Sequence, residues 1–157
     1  MSVPEVFRPF VDATRTAFDY LTTTYGFARS TEQAAGPEAW VIFESPATRI
    51  TVHYELGAVP WVEIGRLEDL DGQLVQTREI GLDLLARERG KALNDDVEPP
   101  RDLSSTELSV LLQARARLLA EVGDDLLRGD YQSFPRLHGK AEKELRRRES
   151  EMFGSRK

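Results

Sequence analysis

His53 and Glu63 are the two residues whose types come nearest to proton-transfer chemistry: an imidazole that titrates near neutrality and a carboxylate able to orient and charge it. They lack the company a catalytic centre requires. The chain has no cysteine, and neither Gly-x-Ser-x-Gly nor Gly-x-x-x-x-Gly-Lys-Ser/Thr occurs in it, so no activated nucleophile or phosphate cradle stands with them. A structural contact across two strands accounts for the pair more simply. Metal ligation fares no better. Placing Gly72 at the sixth position of a calcium loop puts Leu67 first and Arg78 twelfth, where carboxylates are required. Asp95, Asp96 and Glu98 lie in an aperiodic stretch, 91–102, that holds Asn-Asp-Asp and Pro-Pro and offers no fixed cage, so it reads as an acidic surface loop. Neither metal nor cofactor is expected, and His138, with no ligand type beside it, reads as a helix-packing or surface residue.

The elements that position His53 and Glu63 lie in residues 40–67. Three runs rich in β-branched and aromatic residues are split by Ser45-Pro46-Ala47-Thr48 and by Leu56-Gly57-Ala58-Val59-Pro60, the pattern of an antiparallel meander. A tight turn at Pro46-Ala47 pairs Glu44 with Arg49, Phe43 with Ile50, Ile42 with Thr51, Val41 with Val52 and Trp40 with His53. Side chains alternate, so Val41, Phe43, Ile50, Val52 and Tyr54 share one face, the core. A loop of Gly57, Ala58 and Val59 then pairs Tyr54 with Val62 and Val52 with Ile64. A two-residue loop would set Glu63 opposite Val52 in the apolar layer, at a cost of several kcal/mol, roughly, whereas the longer loop costs far less. On the other face Trp40, His53 and Glu63 form one row, with Trp61 beside Glu55. Both tryptophans therefore point away from the core, toward either covering helices or a partner.

Around the meander the signals are helical. Phe7, Phe10, Val11, Thr14, Ala17, Phe18 and Leu21 recur at i, i+3, i+4 and i+7, predicting a helix over 4–25 that Gly26 stops. A short first strand is expected at 27–31, with its turn at 32–37. Residues 68–76 read as a polar connector, and 77–88 as a short helix whose inward residues are Ile80, Leu84 and Leu85. Ser104 and Glu107 form a capping box that opens a third helix with a stripe from Leu108 to Leu126. A final helix carries Phe134, Leu137, Ala141, Leu145 and Met152 inward, and these last two helices are expected to pair as a hairpin covering one side of the sheet. The fold expected is α+β: an N-terminal helix on a three- or four-stranded antiparallel meander, followed by three helices. It forms one domain, 1–157, divided as 1–67, 68–103 and 104–153.

Composition sets the outer bounds. One domain suits 157 residues, of which 40% are apolar and 31% charged. A net charge of −6 and a pI near 5.1 argue against nucleic acid. The basic tail does not reverse this, because Glu142, Glu144, Glu149 and Glu151 interleave with its Lys and Arg at helical pairing distance. No apolar run reaches membrane-span length and no signal-peptide pattern opens the chain, so no membrane partner is expected and the protein reads as cytoplasmic. Absence of cysteine fits a reducing compartment.

Three phrases resemble a group of small bacterial α+β proteins of unknown function: Phe18-Asp19-Tyr20-Leu21 running into Tyr25-Gly26-Phe27; Ile50-Thr51-Val52-His53-Tyr54-Glu55; and Leu126-Leu127-Arg128-Gly129-Asp130-Tyr131. A helix, a meander and a C-terminal helical hairpin recur in that group, and some members look like the immunity partners of secreted bacterial toxins. The resemblance implies a binding role and no catalytic residues. The function expected is thus a non-enzymatic interaction protein, an immunity-type inhibitor of a basic toxin, using Trp40, His53, Glu55, Trp61 and Glu63. The alternatives are a small-molecule or enzymatic pocket between sheet and C-terminal helices, and a homodimer sharing the Leu108 to Leu126 stripe.

Overall fold

The computed structural model describes residues 3–91 and 102–154. Pro4 precedes a 3-10 turn, Glu5–Phe7, that leads into helix α1, Arg8–Ala17. Pro9 falls in the first turn of α1, where its missing amide has no helical acceptor to lose. The periodic stretch continues as a separate short helix α2, Tyr20–Thr23, before Gly26 (φ 75°) turns the chain. Phe10 tilts onto Tyr54 with ring centres 5.1 Å apart, and Phe18 meets Phe43 at 6.0 Å, so α1 seats on the predicted core face. Val41, Ile50, Val52 and Ile64 are fully buried beneath it.

The sheet has five antiparallel strands in sequence order: β1 Thr31–Ala35, β2 Glu38–Glu44, β3 Thr48–Glu55, β4 Trp61–Leu70 and β5 Gln73–Gly81. The first strand lies later than expected, because Gly36 (φ 57°) and Pro37 make a two-residue turn and leave 31–35 free to pair. The β2–β3 register matches the expected pairs from Trp40↔His53 to Glu44↔Arg49. The β3–β4 register is displaced by two residues: Val52 pairs with Val62, Ile50 with Ile64 and His53 with Trp61. The turn is the physical reason: Ala58 N–H donates to Glu55 O at 2.9 Å with Gly57 at φ 85°, so the chain reverses over residues 55–58, earlier than the loop expected at 57–59. A shift of two preserves the alternation, so every side chain keeps its assigned face.

Residues 68–76 are not a connector. Asp71 (φ 54°) and Gly72 (φ 83°) form a two-residue hairpin loop joining β4 to β5, and a bulge at Arg66/Leu67 bends the arm beyond it. The helix expected over 77–88 is confined to α3, Leu82–Glu88, with Ile80 in the strand; Ile80, Leu84 and Leu85 are buried as expected. Residues 92–101, including Asp95, Asp96 and Glu98, lie outside the described residues.

Ser104 and Glu107 close the capping box of α4, Ser105–Val122. The expected continuous stripe breaks at Gly123, and α5, Asp124–Leu127, follows. The final helix, α6, spans Phe134–Gly154. Instead of pairing as a hairpin, α4 packs along α1 and α6 lies beside α3 and β5. Leu108, Leu112, Leu119, Val122 and Leu126 are buried within the chain's own core, which leaves that stripe unavailable to a second copy. Leu145 and Met152, expected inward, are exposed.

Two polar clamps join the helices to the rest. Arg89 grips Asp125 through both guanidinium ends at 2.7 and 2.8 Å, fastening α3 to α5. Tyr131 donates to Ala47 O at 2.6 Å and contacts the Thr48 hydroxyl, which donates to Leu126 O at 2.8 Å, so the β2–β3 turn is tied to the α5–α6 connection. Thr48 is fully buried, and Thr48→Val should remove its bond to Leu126 O, which keeps only the Gly129 N–H at 3.1 Å, at a cost of about 0.5–1.5 kcal/mol in chemical denaturation. An unchanged denaturation midpoint would show that the clamp does not hold the fold.

Candidate functional site

Odd residues of β3 and β4 and even residues of β2 emerge on the face opposite α1. One row across it reads Gln33, Trp40, His53, Trp61. The Trp40 and His53 rings stack at 4.8 Å and 9°, while Trp61 meets His53 edge-on at 3.8 Å and 70°. His53 is thereby enclosed, with 12% of its side chain exposed. Among the described residues, the ring, hydrogen-bond and ion-pair partners of these three residues all come from the sheet.

All five expected residues, Trp40, His53, Glu55, Trp61 and Glu63, share this face, but their pairing differs from expectation. With the register displaced by two, Glu63 sits opposite Thr51 and Trp61 takes its place beside His53. The expected His53–Glu63 dyad does not form. The carboxylate nearest the imidazole belongs to Glu38, whose Oε1 lies 3.4 Å from Nε2 without hydrogen-bond alignment. Glu63 instead accepts from Trp61 Nε1 at 3.2 Å.

Carboxylates flank the aromatic row on both sides. Glu38 is directly opposite Glu55, a like-charge cross-strand pair of the kind that destabilises a sheet. On the other side Glu63 has Glu79 of β5 as its neighbour, and Gln76 Nε2 donates to Glu79 Oε2 at 2.9 Å. Gly65 makes room for this arrangement, because a Cβ there would come within 2.3 Å of the Gln76 side chain. Glu38 was within reach of strand alternation, two residues before Trp40 on the same face. Glu79 reaches the site through Asp71-Gly72, a two-residue hairpin signal present in the sequence. Beside Trp61 and Glu63, where β5 gives way to α3, opens a cleft of ≈ 550 Å³ whose lining includes Pro60, Glu79, Leu82 and Leu145.

Electrostatics separate the two ends of the row. Burial between the indoles strips water from the imidazolium and holds His53 below its ordinary 6.5, against the opposing pull of Glu38 and Glu55. Glu63 is raised above 4.5, first by burial and then by the adjacent Glu79, with the Trp61 indole opposing. An enclosed imidazole that resists protonation is poorly placed to shuttle protons; it serves as a flat spacer between two indoles. No protein-family model, curated protein or solved structure matches this chain.

The two shifts act on stability with opposite sign. For His53 the unfolded chain takes up its proton at higher pH than the folded one, so stability falls as pH drops below 6.5 toward the folded value. For Glu63 the folded chain retains a proton the unfolded one releases, so its contribution is lost as pH rises from 4.5 through the folded value. Imidazole NMR is simple with only two histidines. The His53 midpoint should lie below 6.5 and rise on Trp61→Ala, which opens the ring to water; a wild-type midpoint at or above 6.5 would contradict the enclosure.

Proposed function

We propose that the protein is a non-enzymatic interaction protein whose aromatic sheet face receives a basic protein partner, in the manner of an immunity-type inhibitor acting in the cytoplasm on a basic toxin. One observation supports this above others: the row Trp40, His53, Trp61 is flanked by Glu38 and Glu55 on one side and by Glu63 and Glu79 on the other. Apolar rings supply contact area at low entropic cost, and indole faces attract guanidinium and ammonium groups. The like-charged pair Glu38–Glu55 is unfavourable until a cation comes between the two, so a Lys or Arg of the partner relieves a repulsion as well as making a contact. Complementary charge also speeds encounter and rejects acidic partners.

Trp40 and Trp61 are the chain's only tryptophans, so intrinsic fluorescence reports this face alone. Titration with an arginine-rich peptide should shift the emission in a salt-sensitive manner, while a glutamate-rich control should not. Glu38→Lys combined with Glu55→Lys should weaken the response about tenfold or more with the melting temperature retained. Unchanged emission, or an equal response to both peptides, would overturn the proposal.

A second reading, small-molecule binding or catalysis in the cleft, draws on Glu63 and Glu79 standing at its lining. A fragment screen by NMR separates the two. Shifts confined to Pro60, Leu82 and Leu145 favour the cleft, and shifts at Gln33 and Trp40 favour the face.

A further inference from the structure

Across the β4–β5 ladder Glu63 stands opposite Gly81, and Glu79 stands opposite Gly65. The two places from which a cross-strand cation would offset a glutamate therefore carry no side chain at all. The carboxyl groups turn to each other instead. They lie close enough to share a hydrogen bond, which requires one proton held between them. Their other partners are neutral: the Trp61 indole donates to Glu63 and the Gln76 amide to Glu79. Among the described residues, neither carboxyl group has a Lys, Arg or His side chain within ion-pair distance.

This pair stands in the wall of the cleft where β5 gives way to α3. Its volume of ≈ 550 Å³ falls in the range of small-molecule sites, roughly 300–1,000 Å³. Pro60 and Leu82 line it, and Leu145 of α6, 59% exposed, turns an apolar side chain to the same space. The other charges of the lining do not offset the pair. Arg148 is held by Glu144 at 2.8 Å, and Glu144 also takes Arg87 at 2.8 Å. Arg115 is buried in α4, with Nη1 3.4 Å from Leu111 O. Asp83 adds to the negative side: its Oδ1 lies 2.5 Å from where a Cβ on Gly81 would stand, at the position opposite Glu63.

The cleft thus combines an anionic end with apolar walls. A bare divalent ion would use only the first, and among the described residues no group of three or more His, Cys, Asp or Glu is gathered to hold one. A cation carrying an apolar body uses both.

We infer, building on the small-molecule reading of the cleft, that it binds a small organic cation, an alkylammonium or alkylguanidinium: the charged head takes the place of the proton between Glu63 and Glu79, and the apolar body lies against Leu82 and Leu145. The head donates N–H hydrogen bonds to both carboxylates, and the proton they shared leaves to solvent. A neutral alcohol of the same length gains only the apolar contact, and a carboxylate of that length meets like charge.

Backbone-amide NMR of the full chain, titrated with hexylammonium chloride, should give saturable shifts at Gly81, Leu82 and Leu145. Hexanol and hexanoate should bind about tenfold more weakly or worse. Glu79→Gln and Glu63→Gln should each lower hexylammonium affinity about tenfold, with the melting temperature retained. Equal binding of hexanol would overturn the inference while leaving the cleft a small-molecule site. Absence of saturable shifts with all three compounds would remove that reading as well. Hexylammonium shifts at Gln33 and Trp40 in place of the cleft would assign the cation to the aromatic face and overturn the inference too.

Discussion

The structure turns on one layer of contacts, in which Phe10 and Phe18 of α1 press on Tyr54 and Phe43 while Val41, Ile50, Val52 and Ile64 fill the space beneath. Burial of those side chains decides which way every residue of β2, β3 and the start of β4 points. Slipping any strand by one residue would turn its apolar set to water and bring carboxylates inward, Glu63 among them. Each fully buried aliphatic or aromatic side chain contributes about 1.5–3 kcal/mol, and an unpaired buried carboxylate costs more than that, so only registers displaced by an even number survive. The aromatic face on the far side is a consequence: Trp40, His53 and Trp61 align because their neighbours are committed to the core.

What the core places on that face is not optimal for stability. Glu38 opposes Glu55 directly, Glu63 neighbours Glu79, and His53 is enclosed with Nε2 lacking a hydrogen bond. Each arrangement raises the free energy of the isolated chain. A sheet face built for stability alone would alternate opposite charges across strands. Under the proposed function these clustered acids around stacked rings would meet a cationic surface, and the core below tolerates their cost.

The helices divide between two tasks. α1 and α4 complete the core, with the Tyr20 hydroxyl donating to Ala116 O at 2.7 Å to hold α2 against α4. α3 and α6 line the β5 edge and are joined mainly by surface ion pairs, Arg87–Glu144 at 2.8 Å and Lys140–Glu88. Such exposed pairs are worth little, so α6 depends on Phe134 and Leu137 for anchorage and leaves its outer half free of the chain's own body.

Periodicity within the sequence determined the faces of β2 to β4, the burial of the α1 and α4 stripes, and the grouping of Trp40, His53, Glu55, Trp61 and Glu63 on one side. These follow from local alternation and helical spacing, and each is repeated over several residues, so a single irregularity does not erase them. The tertiary structure decided which of those residues touch. A displacement by two leaves face assignments intact yet exchanges Trp61 for Glu63 beside His53, and the determinant is the turn over residues 55–58 that Gly57 permits. It likewise decided that α4 and α6 part company, since two amphipathic helices in sequence carry no instruction about which apolar surface each will meet. Glu79 joined the site only through the β4–β5 hairpin, where two left-handed residues, Asp71 and Gly72, reverse the chain and bring a distant carboxylate alongside.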